Sequence, residues 1–164
     1  MIHPLPGKVS SHYGAMSAFR KARGMQAHSG TDYPAKQGTP FRAVAKGTIQ
    51  LIQYSKVLGW VTVQSVWHDN KTWYVGYCHQ DSKPDLEVGE KITEGQIIGK
   101  VGNTGVSSGA HLHMTWGRSL KSAFGTTAQK VDGWKIIEAN LTKPKTQSKT
   151  ITCPNCGEKY YAKP

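Results

Sequence analysis

Apolar and polar residues alternate with a period of two along much of the chain, and glycine and proline interrupt the pattern at short intervals. Such alternation predicts β-strands with one buried face, because successive side chains of a strand point to opposite sides. The run Phe41 to Gln53 alternates around Gly47 in the manner of a strand pair, and residues 7–14 predict a further short strand. The pattern therefore predicts a mostly β fold.

A hairpin is predicted in the middle of the chain. Trp60 to Trp67 forms its first strand and Thr72 to His79 the return strand, because the Asp and Asn between them tolerate the positive φ of tight turns. Every second residue of the return strand, from Trp73 to His79, is expected to share one face. Cys78 is then expected to point the other way, as a small core residue.

Two histidines separated by one apolar residue form the first candidate for chemistry. His111 and His113 share one face of the predicted strand Gly109 to Trp116, whereas Leu112 and Met114 point towards a core. Neutral imidazole is the commonest protein ligand of zinc. The pair alone indicates no more than a half-exposed strand, so a metal site needs partners from elsewhere in the chain.

The segment His28 to Asp32 offers those partners. Gly30 in its middle and Pro34 just after it argue against a helix. On a strand, His28, Gly30 and Asp32 point the same way, and the glycine leaves room between two ligands. Two histidines and one carboxylate, with a fourth position left for water, are the open ligand set of a hydrolytic zinc site.

Three segments together resemble a known family. They are the pentapeptide His28 to Asp32, the tripeptide Tyr77 to His79 and the glycine-rich run Gly102 to His113. In order and spacing they are similar to the lysostaphin-type (LytM-like) zinc metallopeptidases, murein endopeptidases that cut the peptide part of the bacterial cell wall. The resemblance extends from about Gly7 to Trp116. It implies antiparallel sheets of the duplicated hybrid motif type, with an open zinc site in a groove.

The resemblance also implies roles for individual residues. His28, Asp32 and His113 correspond to the zinc ligands. His79 and His111 correspond to the two histidines beside the water, one acting as general base and the other as donor to the developing oxyanion. Which of the two performs which task is left open. The implied substrate is peptidoglycan, at its stem or crosslink peptides, and the implied cofactor is Zn²⁺.

The chain is strongly basic. Its 21 Lys and Arg residues against 10 Asp and Glu residues give a formal charge of +11, which favours an anionic partner. Nucleic acid is the usual first hypothesis, but the basic residues are scattered and no recognition-helix or RNA-binding signature is present. Cell wall, with its carboxylates and phosphate-containing polymers, suits the charge equally well. Charge kept only for solubility is the remaining alternative.

Targeting signals are not visible in the sequence. Residues 1–7 show no basic segment followed by an apolar run, and no apolar stretch is long enough to span a bilayer, so no membrane insertion is expected. A wall hydrolase without a signal resembles a phage lysin, made in the host cytoplasm and acting on the wall after release, or a virion-associated lysin. A chain whose signal had been removed would look the same.

The C-terminal part is expected to be divided. Residues 1–142 are predicted as the catalytic domain, closed by a short helix in which Trp134, Ile137 and Leu141 recur at helical spacing. Residues 143–150 are predicted as a basic linker and residues 151–164 as a short tail.

The tail contains half of a metal site. Cys153 and Cys156 have the spacing of a zinc knuckle, and four ligands are needed for structural zinc. A zinc-mediated homodimer would complete the site; a degenerate remnant or a disulfide are the alternatives. Two functions other than wall hydrolysis also stay open. One is that of a non-catalytic, wall-binding relative of the family, and the other is that of a basic protein that binds nucleic acid through its zinc knuckle.

Overall fold

The computed structural model describes residues 1–124, 129–141, 150–152 and 159–161. Three helices and eleven strands occur in these ranges. The helices are α1 (Ala18–Ala22), α2 (Leu120–Phe124) and α3 (Gly133–Leu141). The strands are β1 (Thr31–Pro34), β2 (Pro40–Arg42), β3 (Gly47–Ser55), β4 (Gly59–His68), β5 (Lys71–Gln80), β6 (Lys91–Ile92), β7 (Ile97–Lys100), β8 (His111–Gly117), β9 (Lys130–Val131), β10 (Thr150–Thr152) and β11 (Lys159–Tyr161).

One seven-stranded sheet organises the molecule. Its strands follow the order β1-β8-β5-β4-β3-β6, and β9 pairs with β8 beside this path. Every pairing is antiparallel. The longest pair, β4 and β5, is joined by a tight turn in which Asp69 and Asn70 have φ of 48° and 54°. The predicted mostly β, antiparallel architecture and its central hairpin are therefore confirmed.

Two sequence-based expectations about strands were wrong. Phe41 to Gln53 is not a strand pair, because β2 pairs with β7 in a separate small sheet, whereas β3 pairs with β4 and β6. Between β2 and β3 the apolar residues Ala43, Val44 and Ala45 are buried, so the chain continues through the core instead of turning back. Residues 7–14 form no strand, only a single bridge between Ser11 and Asp32.

The main hydrophobic core lies on one face of the sheet. It contains Tyr77, Leu112, Met114 and Trp116, and α3 closes it with the buried Ile137. The predicted closing helix is thus present, although Leu141 at its end is 49% exposed. No helix among the described residues is long and apolar enough to cross a bilayer.

A smaller core lies on the opposite face of the sheet. Cys78 packs there with Val61, Val63 and Ala123. It is fully buried, and burial raises the pKa of its thiol to about 12. Cys78 therefore acts as a small hydrophobic residue, as expected.

The C-terminal tail is described only in part. Strands β10 and β11 form an antiparallel pair with Thr150 opposite Tyr161. Cys153 and Cys156 lie outside the described residues. The division into residues 1–142, 143–150 and 151–164 stays a prediction.

Candidate metal centre

Strand β8 supplies the two histidines of the site. Leu112 and Met114 are buried in the main core, so His111 and His113 face the other side of the sheet, as predicted from their spacing. The Cα of His113 is paired with that of Asp32 on the neighbouring β1. This pairing brings a carboxylate from a distant part of the sequence beside the histidine ring.

His28 reaches the site from a different backbone setting than expected. Strand β1 begins at Thr31, so His28 and Gly30 precede it and do not belong to a strand. His28 is held by the chain at residues 14–15, where its amide donates to Ala15 O and its carbonyl accepts from Gly14 N. Its side chain is buried, with a relative exposure of 2%.

Gly30 lies where two parts of the site come into close contact. A Cβ added there would lie 2.4 Å from the Met114 carbonyl oxygen and 2.8 Å from Cε1 of His113. Any larger residue would push strand β8 or the His113 ring away. The glycine thus makes room for β8 and the His113 ring, whereas the sequence had suggested a space between His28 and Asp32.

His28, Asp32 and His113 converge on one point. His113 Nδ1 lies 2.8 Å from Asp32 Oδ1, and His28 Nε2 lies 3.1 Å from both of these atoms. Ligand atoms bound about 2.0–2.1 Å from a tetrahedral zinc ion are separated by about 3.3 Å, so this triangle is close to the size required. Two nitrogens and one carboxylate oxygen are also donor atoms that zinc prefers.

A second layer of contacts orients His28. Its Nδ1 lies 3.0 Å from the backbone carbonyl oxygen of His12 and 3.0 Å from Ser11 Oγ. Donation from Nδ1 to the carbonyl leaves the lone pair on Nε2, the atom that faces Asp32 and His113. Hydrogen bonding of this kind is typical of metal-binding histidines.

The site favours the protonation states that a metal requires. Burial alone raises the pKa of Asp32, but hydrogen bonds from His113 and His28 outweigh it and hold the pKa well below its ordinary value. Burial lowers the pKa of His113 to about 4, against the opposing effect of Asp32. An ionised carboxylate and a neutral imidazole can bind a cation without first losing protons.

The lowered pKa of His113 predicts a pH dependence for the metal-free protein. Below pH 6.5 the unfolded chain takes up a proton at His113, whereas the folded chain does so only near pH 4. Stability should therefore fall as the pH drops through this window, with this histidine contributing up to about 3 kcal/mol. Denaturant unfolding at a series of pH values measures the slope. A His113→Asn variant should show a shallower slope, and equal slopes would contradict the assignment.

His79 and His111 lie beside the three candidate ligands. Their ring centroids are 4.9 Å apart, and the His79 ring is 5.9 Å from that of His113. His111 Nε2 lies 3.6 Å from Asp32 Oδ1. The structure thus brings together all five residues that the sequence suggested for the site.

Backbone carbonyls fix the same tautomer in both of these rings. His111 Nδ1 lies 2.7 Å from Gly109 O, and His79 Nδ1 lies 2.8 Å from Thr104 O. Each Nδ1–H donates to its carbonyl, which leaves Nε2 of each ring as an acceptor. Burial lowers the pKa of His79, against the Thr104 carbonyl, so the neutral form with a free lone pair is favoured.

His79 reaches the site through an irregularity that strict alternation does not predict. Tyr77 is opposite Thr62 and Gln80 is opposite Trp60, so β5 has one residue more than β4 over this step. His79 occupies the extra position with a φ of 60°. Regular alternation would have placed it with Tyr77, on the main-core face. This bulge instead brings it beside His113, whose Cα partner is Cys78.

Thr104 stabilises this bulge, and the sequence assigned it no role. Its hydroxyl donates to Gln80 O at 2.6 Å and accepts from Trp60 N at 3.1 Å, and these two residues form the pair that directly follows the extra residue in β5. Its backbone carbonyl accepts a hydrogen bond from Nδ1–H of His79. The residue belongs to the run Gly102 to His113, in which the glycines and histidines drew attention and the threonine did not.

Comparisons with known proteins agree with this geometry. The sequence model of Peptidase family M23 matches residues 26–124, more than half of the chain. Peptidoglycan DD-endopeptidase ShyC of Vibrio cholerae is 34% identical over 107 residues, which are 65% of this chain and 24% of that protein. Glycyl-glycine endopeptidase ALE-1 of Staphylococcus capitis is 35% identical over 104 residues, 62% of this chain and 27% of that protein.

A solved structure extends the agreement to the fold. The catalytic domain of lysostaphin from Staphylococcus simulans has a TM-score of 0.66 at 26% identity, covering 80% of this chain and 92% of that domain. The chain spans about a quarter of the length of the curated relatives it matches. On the extent of the family match and the shared fold, the chain belongs to peptidase family M23.

Proposed function

We propose that this protein is a zinc-dependent endopeptidase that hydrolyses stem or crosslink peptides of bacterial peptidoglycan. The observation that carries the proposal is the triangle of His28, Asp32 and His113 with two further histidines beside it. A wall-binding relative without catalysis would need the triangle for structure at most, and it would not need two oriented imidazoles next to it. The names of the two curated relatives, both endopeptidases, support the same reaction.

His28 Nε2, Asp32 Oδ1 and His113 Nδ1 would hold the metal. Three protein ligands leave a tetrahedral ion one open position, which distinguishes a catalytic from a structural site. When bound, zinc supplies a Lewis acid that lowers the pKa of water to about 7 and polarises a carbonyl. The carboxylate offsets one of the two positive charges.

His79 and His111 would supply the proton transfers. Each has its Nε2 free as an acceptor, so either imidazole can take a proton from the attacking water. The other ring, once it has taken up a proton from solvent at Nε2, can donate a hydrogen bond to the oxyanion that develops on the scissile carbonyl. Because carbonyls orient both rings in the same tautomer, the two tasks remain unassigned between them.

Digestion of purified cell walls tests the proposed function. The protein should release new amino termini from peptidoglycan, lose this activity with a chelator and recover it with zinc. A pure binder would show no turnover under any of these conditions. The two curated relatives are named for different bonds, so walls of different crosslink chemistry should be compared, with the new termini identified by mass.

Removal of the Thr104 hydroxyl tests the positioning of His79. Thr104→Val should keep the metal and leave KM nearly unchanged, but it should lower kcat by about tenfold or more, because small misplacements of catalytic groups are costly. Thr104→Ser retains the hydroxyl and should restore kcat. A loss that appears only in thermal stability, with kcat intact, would limit Thr104 to a structural role.

Two finer expectations belong to the same proposal. We retain action on the host wall by a phage lysin as the biological setting, and a zinc-mediated dimer through Cys153 and Cys156 as a property of the tail. The formal charge of +11 supports attraction of the protein to an anionic wall polymer. Nucleic acid stays the disfavoured alternative, since the cluster of four histidines and one aspartate supports hydrolysis.

A further inference from the structure

A shallow trough lined by lysine, hydroxyl and apolar side chains crosses the sheet at the end remote from the metal centre. It has a volume of about 410 Å³ and runs over the neighbouring strands β6, β3, β4 and β5. We refer to it as the lysine trough. The side chains that give it its chemistry are Lys46, Thr48, Ser65, Trp67, Thr72 and Lys91.

The lysine trough and the candidate metal centre open on the same face of the sheet. Trp67 is paired with Thr72, and His113 is paired with Cys78 six residues further along the same strand. Residues 72 and 78 have the same parity and precede the extra residue at His79, so their side chains share a face. At about 3.4 Å per residue the two sites are separated by roughly 20 Å along the strand direction.

The charges that line the trough have one sign. Lys46 and Lys91 contribute two ammonium groups, and no aspartate or glutamate is among the described residues that line it. Lys91 Nζ donates to Thr48 Oγ1 at 3.1 Å, which holds this ammonium group beside a row of hydroxyls. The chemistry therefore suits an anion with several oxygen atoms.

Two features of the trough suit a phosphate-bearing saccharide. The cationic side chains among the described residues that line it are lysines, and lysine binds phosphate as a point charge. Trp67 is 65% exposed at the trough. Its indole offers a flat surface on which the apolar face of a sugar ring can pack.

We propose that the lysine trough binds a phosphate-bearing glycopolymer of the bacterial cell wall. The inference rests on the proposed function, because it takes the wall as the target. A polymer anchored roughly 20 Å from the metal centre along the strand direction keeps neighbouring wall peptides near it, which raises their effective concentration without changing the chemistry. The trough is thus a docking site and not part of the reaction centre.

Wall binding by the metal-free protein tests the proposal without any turnover. The variants are Lys46→Gln with Lys91→Gln, and separately Trp67→Ala. The matched control is Lys36→Gln with Lys83→Gln, which removes the same charge from exposed residues outside the trough. Sedimentation with purified walls is measured before and after hydrofluoric acid has removed their phosphate polymers.

Binding of the unchanged protein to intact walls should exceed that of either trough variant by about tenfold, and the control should bind like the unchanged protein. On acid-treated walls all proteins should bind equally and more weakly. Equal weakening by the control pair would overturn the proposal in favour of general charge attraction. The proposal would also be overturned if the unchanged protein bound acid-treated walls as well as intact walls. It would be overturned too if the trough variants lost binding to duplex DNA but still bound walls.

Cleavage of a short soluble wall peptide separates this proposal from the proposed function. The zinc-loaded trough variants should cleave it at the rate of the unchanged protein, because the peptide cannot reach both sites. A trough variant with reduced cleavage would contradict a pure docking role. If no protein cleaves the peptide or the wall, the proposed function fails, whereas the binding contrast between intact and acid-treated walls still decides the docking proposal.

Discussion

His113→Ala is expected to lose bound zinc and peptidoglycan hydrolysis together. His113 Nδ1 lies 2.8 Å from Asp32 Oδ1 and 3.1 Å from His28 Nε2, so its removal opens one corner of the triangle. The remaining pair also keeps a partly buried carboxylate with fewer hydrogen-bond partners. Metal content per chain and hydrolysis rate, measured on the same purified sample, should both fall to background.

The matched control is a histidine outside the site. His68 lies at the end of β4, where its Nε2 is 2.9 Å from the Asn140 side-chain amide. His68→Ala should keep zinc and activity. A His113→Ala protein that retains stoichiometric zinc would overturn the ligand assignment, most directly if His111→Ala lost its zinc instead.

His79→Ala and His111→Ala should behave in the opposite way, keeping zinc near one per chain while turnover falls. Neither ring belongs to the triangle, although His111 Nε2 lies 3.6 Å from Asp32 Oδ1. General acid–base and oxyanion groups each contribute about 10²-fold or more, so turnover should fall by at least that factor. Metal analysis alongside kcat for each variant separates catalysts from ligands.

The double variant adds a sharper test. If the two histidines act in one proton-transfer sequence, His79→Ala combined with His111→Ala should cost less than the product of the two single losses. Independent losses that multiply in full would indicate separate roles. Loss of zinc from either single variant, with the fold intact, would contradict the division between ligands and catalysts.

Part of the candidate site could be predicted from the sequence because local rules govern that part. Side-chain alternation along a strand separates His111 and His113 from Leu112 and Met114, and this holds wherever the strand is placed in the fold. The turn at Asp69 and Asn70 is equally local, because both residue types tolerate positive φ. The gathering of His28, Asp32 and His113 followed from the family resemblance, since spacing along the chain says nothing about contacts between distant segments.

Alternation along β8 determined which of its side chains are buried and which face the site, but tertiary pairing decided how the segments meet. The partner of β2 is β7 and not β3, because hydrogen bonding and burial across the core outweigh proximity in sequence. His79 joins the site through one extra residue in β5, which Thr104 stabilises from another loop and which no periodicity in β5 reveals. Gly30 matters because β8 packs against it, a contact between residues more than eighty positions apart. A strand's own sequence specifies its two faces, whereas its register and its bulges depend on the strand and loop that lie beside it.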